Sequence, residues 1–183
     1  MKWLRYGALS LAGLILLAFL ILFVLSSQKD ASTLRASVEI ARTPQQLAPW
    51  LEDPEKIKQW VSWLKEIRRL TPPPHGVGTK EVWVMEDRNN NNQTMELKCE
   101  VIAFEPLRRA KVRITAAEGF TGISEFITTD LGNGHTRFDQ IGEYTFDSAF
   151  VRLMTPIVMR SAAAKALADM QTLKAKVEAA PVN

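Results

Sequence analysis

The side chains that could do chemistry in this 183-residue chain are few and scattered. His75 sits in a proline-rich loop, and His135 opens a strand after Gly132-Asn133-Gly134. Neither has a histidine or cysteine at the i, i+4 spacing that a metal site on a helix needs, so both are expected as surface histidines. Glu125, Asp139, Gln140, Glu143 and Tyr144 fall on the last two strands of the pattern described below. Two carboxylates facing inward together would repel each other and lose hydration, which raises their pKa values into the range of general acid–base work. Strand alternation sends half of such residues to solvent, so the solvent face is the first expectation for them. The segment Gly76-Val77-Gly78-Thr79 lacks the strand-to-helix context and the lysine of a phosphate loop. A lone Cys99 excludes an intrachain disulfide and a cysteine-rich zinc site. Asn92-Gln93-Thr94 has the form of a glycosylation sequon, a match frequent by chance. No catalytic set, metal or cofactor is expected.

Charge narrows the partners. The net charge is +3, yet Lys2, Arg5 and Lys29 precede the first acidic residue. From Asp30 onward 20 basic residues face 20 acidic ones, so the folded part is formally neutral. Its basic residues are interleaved with apolar ones, unlike the concentrated patch that phosphates demand, and nucleic acid is not an expected partner. Residues Tyr6 to Leu25 carry no charge and are mostly Leu, Ile, Ala and Phe. As a helix they would span about 30 Å, the hydrocarbon thickness of a bilayer. The run exceeds the apolar core of a cleaved signal and lacks a small-residue exit, so residues 1–28 are expected as a retained single-pass anchor and 29–33 as a tether. Lys2 and Arg5 on the near side place the following domain outside the cytoplasm.

Elements follow from periodicity. Leu34–Arg42 alternates as a half-buried strand. Thr43-Pro44 starts a short helix, and Asp53-Pro54 caps a second that closes near Trp60. A strand begins near Trp63, ended by Thr71-Pro72-Pro73-Pro74. Strands are then expected at 77–87, 94–104, 107–116, 121–131 and 135–146. Their turns fall on the Arg88–Gln93 run, Glu105-Pro106, Glu118-Gly119 and Gly132-Asn133-Gly134. Short links make the sheet antiparallel. Val82-Trp83-Val84-Met85 is apolar on both faces; one face lines the core or a cavity, and the other needs a partner or membrane to cover it. Asp147-Ser148 caps a long helix to about Ala179, with Pro156 kinking it or starting its main part. Its apolar stripe is Met159, Ala163, Ala166, Met170, Leu173 and Val177. Small and flexible residues in that stripe suit either close helix–sheet approach or a gap filled by a hydrophobic ligand.

Several local motifs match one family in order. Ser37-Val38-Glu39-Ile40 followed by Thr43-Pro44-Gln45-Gln46-Leu47, then Asp53-Pro54-Glu55 with Trp60-Val61-Ser62-Trp63, Gly76-Val77-Gly78-Thr79 and Pro106-Leu107-Arg108 resemble segments of the START-like, or SRPBCC, superfamily. Within it the chain is similar to the polyketide cyclase/dehydrase-like group, over residues 34–180, with the anchor as a departure. The resemblance implies an α+β helix-grip fold. In it a curved antiparallel sheet of about seven strands wraps a long C-terminal helix, with two short helices after the first strand and one transmembrane helix before it. It further implies a cavity for a lipid, quinone or polycyclic compound. The residues expected to line it are Trp60, Trp63, Trp83, Met85, Phe126, Gln140, Tyr144, Met159, Ala163 and Met170. The expected function is membrane-anchored sequestration of a hydrophobic small molecule. The alternatives are cyclase- or dehydratase-like chemistry on Asp139 and Glu143, and an interaction domain whose own side chains fill the cavity. No oligomeric state follows from the sequence.

Overall fold

The computed structural model describes residues 2–28, 30–87, 92–117 and 119–181; the side chains of 2–5 and 7–10 lie outside that description. The order is α1 (Lys2–Ser26), β1 (Thr33–Ile40), α2 (Pro44–Glu52), α3 (Pro54–Ile57), β2 (Leu64–Arg69), β3 (Lys80–Asp87), β4 (Gln93–Glu105), β5 (Arg109–Ala116), β6 (Phe120–Gly132), β7 (His135–Phe146) and α4 (Ala149–Ala179). Seven strands form one antiparallel sheet in the order β1-β7-β6-β5-β4-β3-β2. Helices α2 and α3 carry the chain from one edge strand to the other. This is the helix-grip arrangement, with α4 laid on the β1 edge.

The local stop and start residues behave as their chemistry requires. Thr43 and Gln46 form a reciprocal capping box at α2, with Pro44 at the first helical position. Asp53 accepts from the Glu55 amide and opens α3. Strand β3 starts at Lys80 rather than at Val77, because Gly78 (φ +90°) and Thr79 fold the preceding loop onto β4 through Gly78 N–H to the Val101 carbonyl, 2.8 Å. Pro156 lies inside one helix of 31 residues. The tight turn before β7 puts Gly132, Asn133 and Gly134 all at positive φ. Residues 88–91 and Glu118, in two other expected turns, lie outside the described residues.

The core sits between α4, β1, α2 and β7. Val38, Ile40, Leu47, Phe138, Met170, Leu173 and Val177 are all buried in it. Met170, expected at a cavity, is thus a packing residue, at 1% exposure. Two clamps lock α4 in place. In the first, the Arg42 guanidinium donates to the Glu178 and Ala180 carbonyls, 2.6 and 3.1 Å, capping the C-terminal end of α4. Glu178 in return accepts from the Ala41 amide, 2.8 Å. In the second, buried Asp169 accepts from Lys165 and from the Ser62 amide, 2.6 and 3.2 Å.

The Glu178 carboxyl is held below the usual carboxylate range, chiefly by the Ala41 hydrogen bond, against a smaller opposing desolvation, with help from Lys174 and Arg42. A depressed folded-state pKa adds stability above the ordinary carboxylate value and loses it as pH falls through the depressed one. Glu178→Gln should therefore lower the melting temperature at neutral pH, and the gap to wild type should close on acidification below about pH 4. A gap independent of pH in thermal melts would show that the carboxylate charge is not what Ala41 and Arg42 need.

The expected transmembrane span, Tyr6 to Leu25, receives no support by length and hydropathy: among the described residues no helix is long and apolar enough to cross a membrane. Side chains 7–10 of that span lie outside the described residues. The uncovered face expected on β3 is also corrected. Val82 and Val84 point to the outer face but are buried, at 8% and 9% exposure. Their cross-strand neighbours there are Arg68 and Lys98, and Glu66 and Glu96. The aliphatic stems of these charged residues, tied by the Arg68–Glu96 ion pair, cover the valines without a partner or membrane.

Candidate hydrophobic-ligand pocket

Register decides which side chains share the concave face. Leu34, Ala36, Val38 and Ile40 of β1 face α4, and pairing carries that face across to Gln140, Gly142 and Tyr144, then to Gly122, Ser124 and Phe126. It continues through Ala110, Val112 and Ile114 to Cys99, Leu97 and Val101, and reaches Trp83 and Met85 on β3. Strand period alone thus gives a floor that is apolar over most of its width.

At one end of this floor, α2 and α3 roof a half-open pocket of about 170 Å³. Ala48, Leu51, Ile57 and Trp60 form the roof, and Trp83, Val101, Phe104, Ala110, Val112, Phe126 and Phe138 the floor and walls. Its aromatic wall is locked. The Phe138 ring is edge-on to Trp60, with centroids 6.5 Å apart, and stacked on Phe126 at 6.2 Å. The Trp60 indole N–H donates to the Trp50 carbonyl, 2.9 Å, and the Trp83 N–H to Glu81, 3.0 Å. Arg69 holds the same Glu81 carboxylate. Both indole donors are consumed within the protein, so the rings present apolar surface to whatever enters. Among the polar residues of the rim, Arg109 is paired with Glu105 and Glu125.

Of the ten residues expected at a ligand, Trp60, Trp83 and Phe126 line this pocket. Met85, Gln140 and Tyr144 share its concave face but lie beyond its walls. Trp63 sits where α4 meets β2, with the Lys165 ammonium 4.8 Å above its ring. Met159 is buried and Ala163 half-buried on α4, and neither lines the pocket. Short helices, not the α4 stripe, supply the roof. The tryptophan-rich stretch after Asp53 therefore contributes one ring to the pocket and one to the α4 clamp.

The other candidate chemistry falls outside the cavity. Asp139 is on the outer face, accepting from Ser37 and Arg137 at 2.6 and 3.0 Å. Glu143 is exposed on the same face, opposite Thr33. Glu125 is also outward, between Arg109 and Lys111. Tyr144 is the one inward titratable group of that set. Its hydroxyl meets Ser124 Oγ at 2.7 Å, and burial raises its pKa, with Ser124 pulling the other way and Cys99 adding a smaller rise. Cys99, on the same floor, is pushed up to about 12 by desolvation and by Glu81, so it is a thiol rather than a nucleophilic thiolate.

His75 corrects an expectation. It is half-buried at the rim, shared between the pocket and an adjoining groove, and its Nε2 is buried without a hydrogen-bond partner. Its only sequence signal was its position just before the Gly76-Val77-Gly78-Thr79 segment that turns onto β4. The β4–β5 turn, Glu105 to Arg108, also lines the pocket and was foreshadowed only as a corner. Among the described residues no group of histidine, cysteine and carboxylate side chains could hold a metal ion.

Comparison with known proteins agrees with this architecture. A START superfamily protein from Mycobacterium smegmatis is 13% identical, with a TM-score of 0.64 over 80% of this chain and 97% of the other. A protein from Rhodobacter sphaeroides is 20% identical, with a TM-score of 0.62 over 82% and 95%. One from Thermus thermophilus is 17% identical, at 0.64 over 82% and 99%. At such identities these likenesses show the fold. A search of curated proteins found no match. The family model described as polyketide cyclase/dehydrase and lipid transport matches residues 32–178, from the first strand to the end of the gripping helix. The chain belongs to the polyketide cyclase/dehydrase and lipid-transport family.

Proposed function

We propose that this protein is a membrane-anchored domain that binds a hydrophobic small molecule in the pocket under α2 and α3. The carrying observation is the half-open cavity whose aromatic walls have no indole N–H to spare. Family membership supports it, since the family description includes lipid transport. Desolvation of such walls by an apolar ligand gains about 25 cal/mol per Å² of apolar surface buried. The outward placement of Asp139 and Glu143 counts against a cyclase- or dehydratase-like role for them.

The anchor reading rests on the sequence and exposure of α1. It runs 25 residues, about 37 Å at the helical rise. From Leu11 to Leu25 it carries no charge, and eleven large apolar residues on all its sides are exposed. Exposed apolar surface of this extent marks a contact with a membrane or a partner. Lys2 and Arg5 on its near side favour a domain on the extracytoplasmic side.

Native mass spectrometry of the full chain, released gently from membranes, is expected to show a small hydrophobic molecule retained at one per chain. Ala110→Trp, which fills the floor of the pocket, should lose it. Retention by Ala110→Trp, or an empty wild type that takes up no added hydrophobe, would sink the reading.

A further inference from the structure

The loop between β2 and β3 brings two polar side chains to one corner of the pocket. Its last five residues close on themselves. The Gly76 amide donates to Thr79 Oγ1 and the Thr79 amide to the Gly76 carbonyl, 3.0 and 3.1 Å. His75 immediately precedes Gly76, so His75 and Thr79 stand at the two ends of a single tight turn, and both line the pocket. Thr79, Glu81 and Trp83 follow at intervals of two and all line it, as strand alternation requires.

Both groups are short of partners. Thr79 is 3% exposed; its hydroxyl oxygen accepts, while its own proton meets no acceptor among the described residues. The His75 imidazole makes no hydrogen bond among them either, and its Nε2 is buried. Burial of an unpaired polar group is unfavourable, and native structures satisfy most of them. With no hydrogen bond to fix it, and with the broad second side-chain torsion of histidine, the ring is free to turn a nitrogen toward the pocket.

The other polar groups of the lining differ. Glu81 is held by Trp83 and Arg69, and Glu105 is paired with Arg109. Glu52 and Arg108 are exposed. Thr128 is half-buried on β6, opposite Phe138, with β4 and β5 between it and β3.

The Thr79 proton needs an acceptor, and a neutral imidazole can donate or accept. One ligand oxygen serves both groups. As a hydroxyl it accepts from Thr79 and donates to His75; as a carbonyl it accepts from both. A hydrocarbon serves neither. The cavity of about 170 Å³ is close to the roughly 150 Å³ that holds one benzene ring, which sets the size of the apolar part.

We infer that the ligand is a compact hydrophobe, a single ring or short chain, carrying one hydroxyl or carbonyl oxygen that His75 and Thr79 hold at the rim. The inference rests on the pocket reading above and adds a polar end to it. His75 and Thr79 then set specificity, and the aromatic walls supply apolar contact.

The test titrates the full chain with toluene, p-cresol and acetophenone by calorimetry. One detergent is used throughout, so that partition of each probe into micelles is common to all samples. At least one of the two oxygen-bearing probes should bind the wild type as tightly as toluene, although water holds it more strongly. His75→Phe and Thr79→Val should each lower that probe's affinity relative to toluene by about fivefold, the worth of one net hydrogen bond. Thr79→Ser, which restores the hydroxyl, should recover most of the loss. The cresol and acetophenone arms tell a hydroxyl from a carbonyl. For both probes, a ratio to toluene within twofold of wild type in either variant would overturn the inference and leave a pocket that binds hydrophobes. A loss caused instead by Thr128→Val would also overturn it, by placing the polar contact on β6. Absence of binding by all three probes would remove the pocket reading, and this inference with it. Should Thr79→Val fail to fold, His75→Phe, which breaks no hydrogen bond of the described residues, decides alone.

Discussion

Phe138→Ala is expected to destabilise the domain by about 3–5 kcal/mol, the loss found for large aromatic residues removed from packed cores. Phe138 is 1% exposed and joins two structures at once. On one side it belongs to the cluster with Ile40, Leu47 and Leu173; on the other it lines the pocket. Its truncation removes an edge contact with Trp60 and a stack on Phe126, each of which adds about 0.5–1.5 kcal/mol beyond area. It should also enlarge the pocket. Urea melts with and without a bicyclic probe such as naphthalene separate the two roles. The variant should melt earlier, yet gain more stability from naphthalene than wild type does, through linkage of binding to folding. A variant destabilised but no more responsive to the larger probe would mean that Phe138 packs the core without bounding the cavity.

Gly122→Ala is expected to cost about 2–4 kcal/mol, a large effect for a single methyl on a strand. The Tyr144 ring lies across two glycines, Gly122 opposite it on β6 and Gly142 two residues before it on β7. A Cβ on Gly122 would come 2.6 Å from the Glu143 carbonyl oxygen as well as against the ring, and backbone does not yield cheaply. The ring would lift, and the Ser124 hydroxyl, on a residue at 0% exposure, would lose its partner. Gly142→Ala meets chiefly the Tyr144 hydroxyl end, 2.6 Å away, which can swing, so its cost should be smaller, about 1–2 kcal/mol. Chemical denaturation of both variants and of Gly142→Ala/Tyr144→Ala checks this account. The tyrosine truncation should cost less in the Gly142→Ala background than in wild type, because one substitution relieves the other. Simple additivity would show that the glycines do not serve as the tyrosine's shelf.

These residues also show where the sequence was legible. Period-two alternation, the Thr43-Pro44 and Asp53-Pro54 caps and the Gly132-Asn133-Gly134 turn are local signals, and they placed all seven strands and the helices that follow them to within a few residues. The break between α3 and β2 was readable because the helical spacing Ile57, Trp60, Val61 gives way to alternation after Trp63. What local pattern cannot give is the level along the sheet at which a pocket forms. Trp83 and Met85 share a face, yet only Trp83 reaches the cavity, because α2 and α3 roof one end of the floor and leave the other. The small-residue stripe of α4 left close packing and a ligand gap both open for a related reason. Its periodicity showed which face is covered but not what covers it, and Met170 packs against β1 and α2 side chains. His75 was hidden because a loop residue's burial depends on contacts distant in sequence, here the strands beneath the rim.

The central claim is that this pocket is a binding site for an apolar molecule rather than a packing defect. Calorimetric titration with toluene of the wild type and of Ala110→Trp tests it most directly. One saturable site in the wild type, with the negative heat-capacity change of apolar burial, and none in a folded Ala110→Trp is the predicted result. Equal binding by both proteins, or no binding by either, would contradict it.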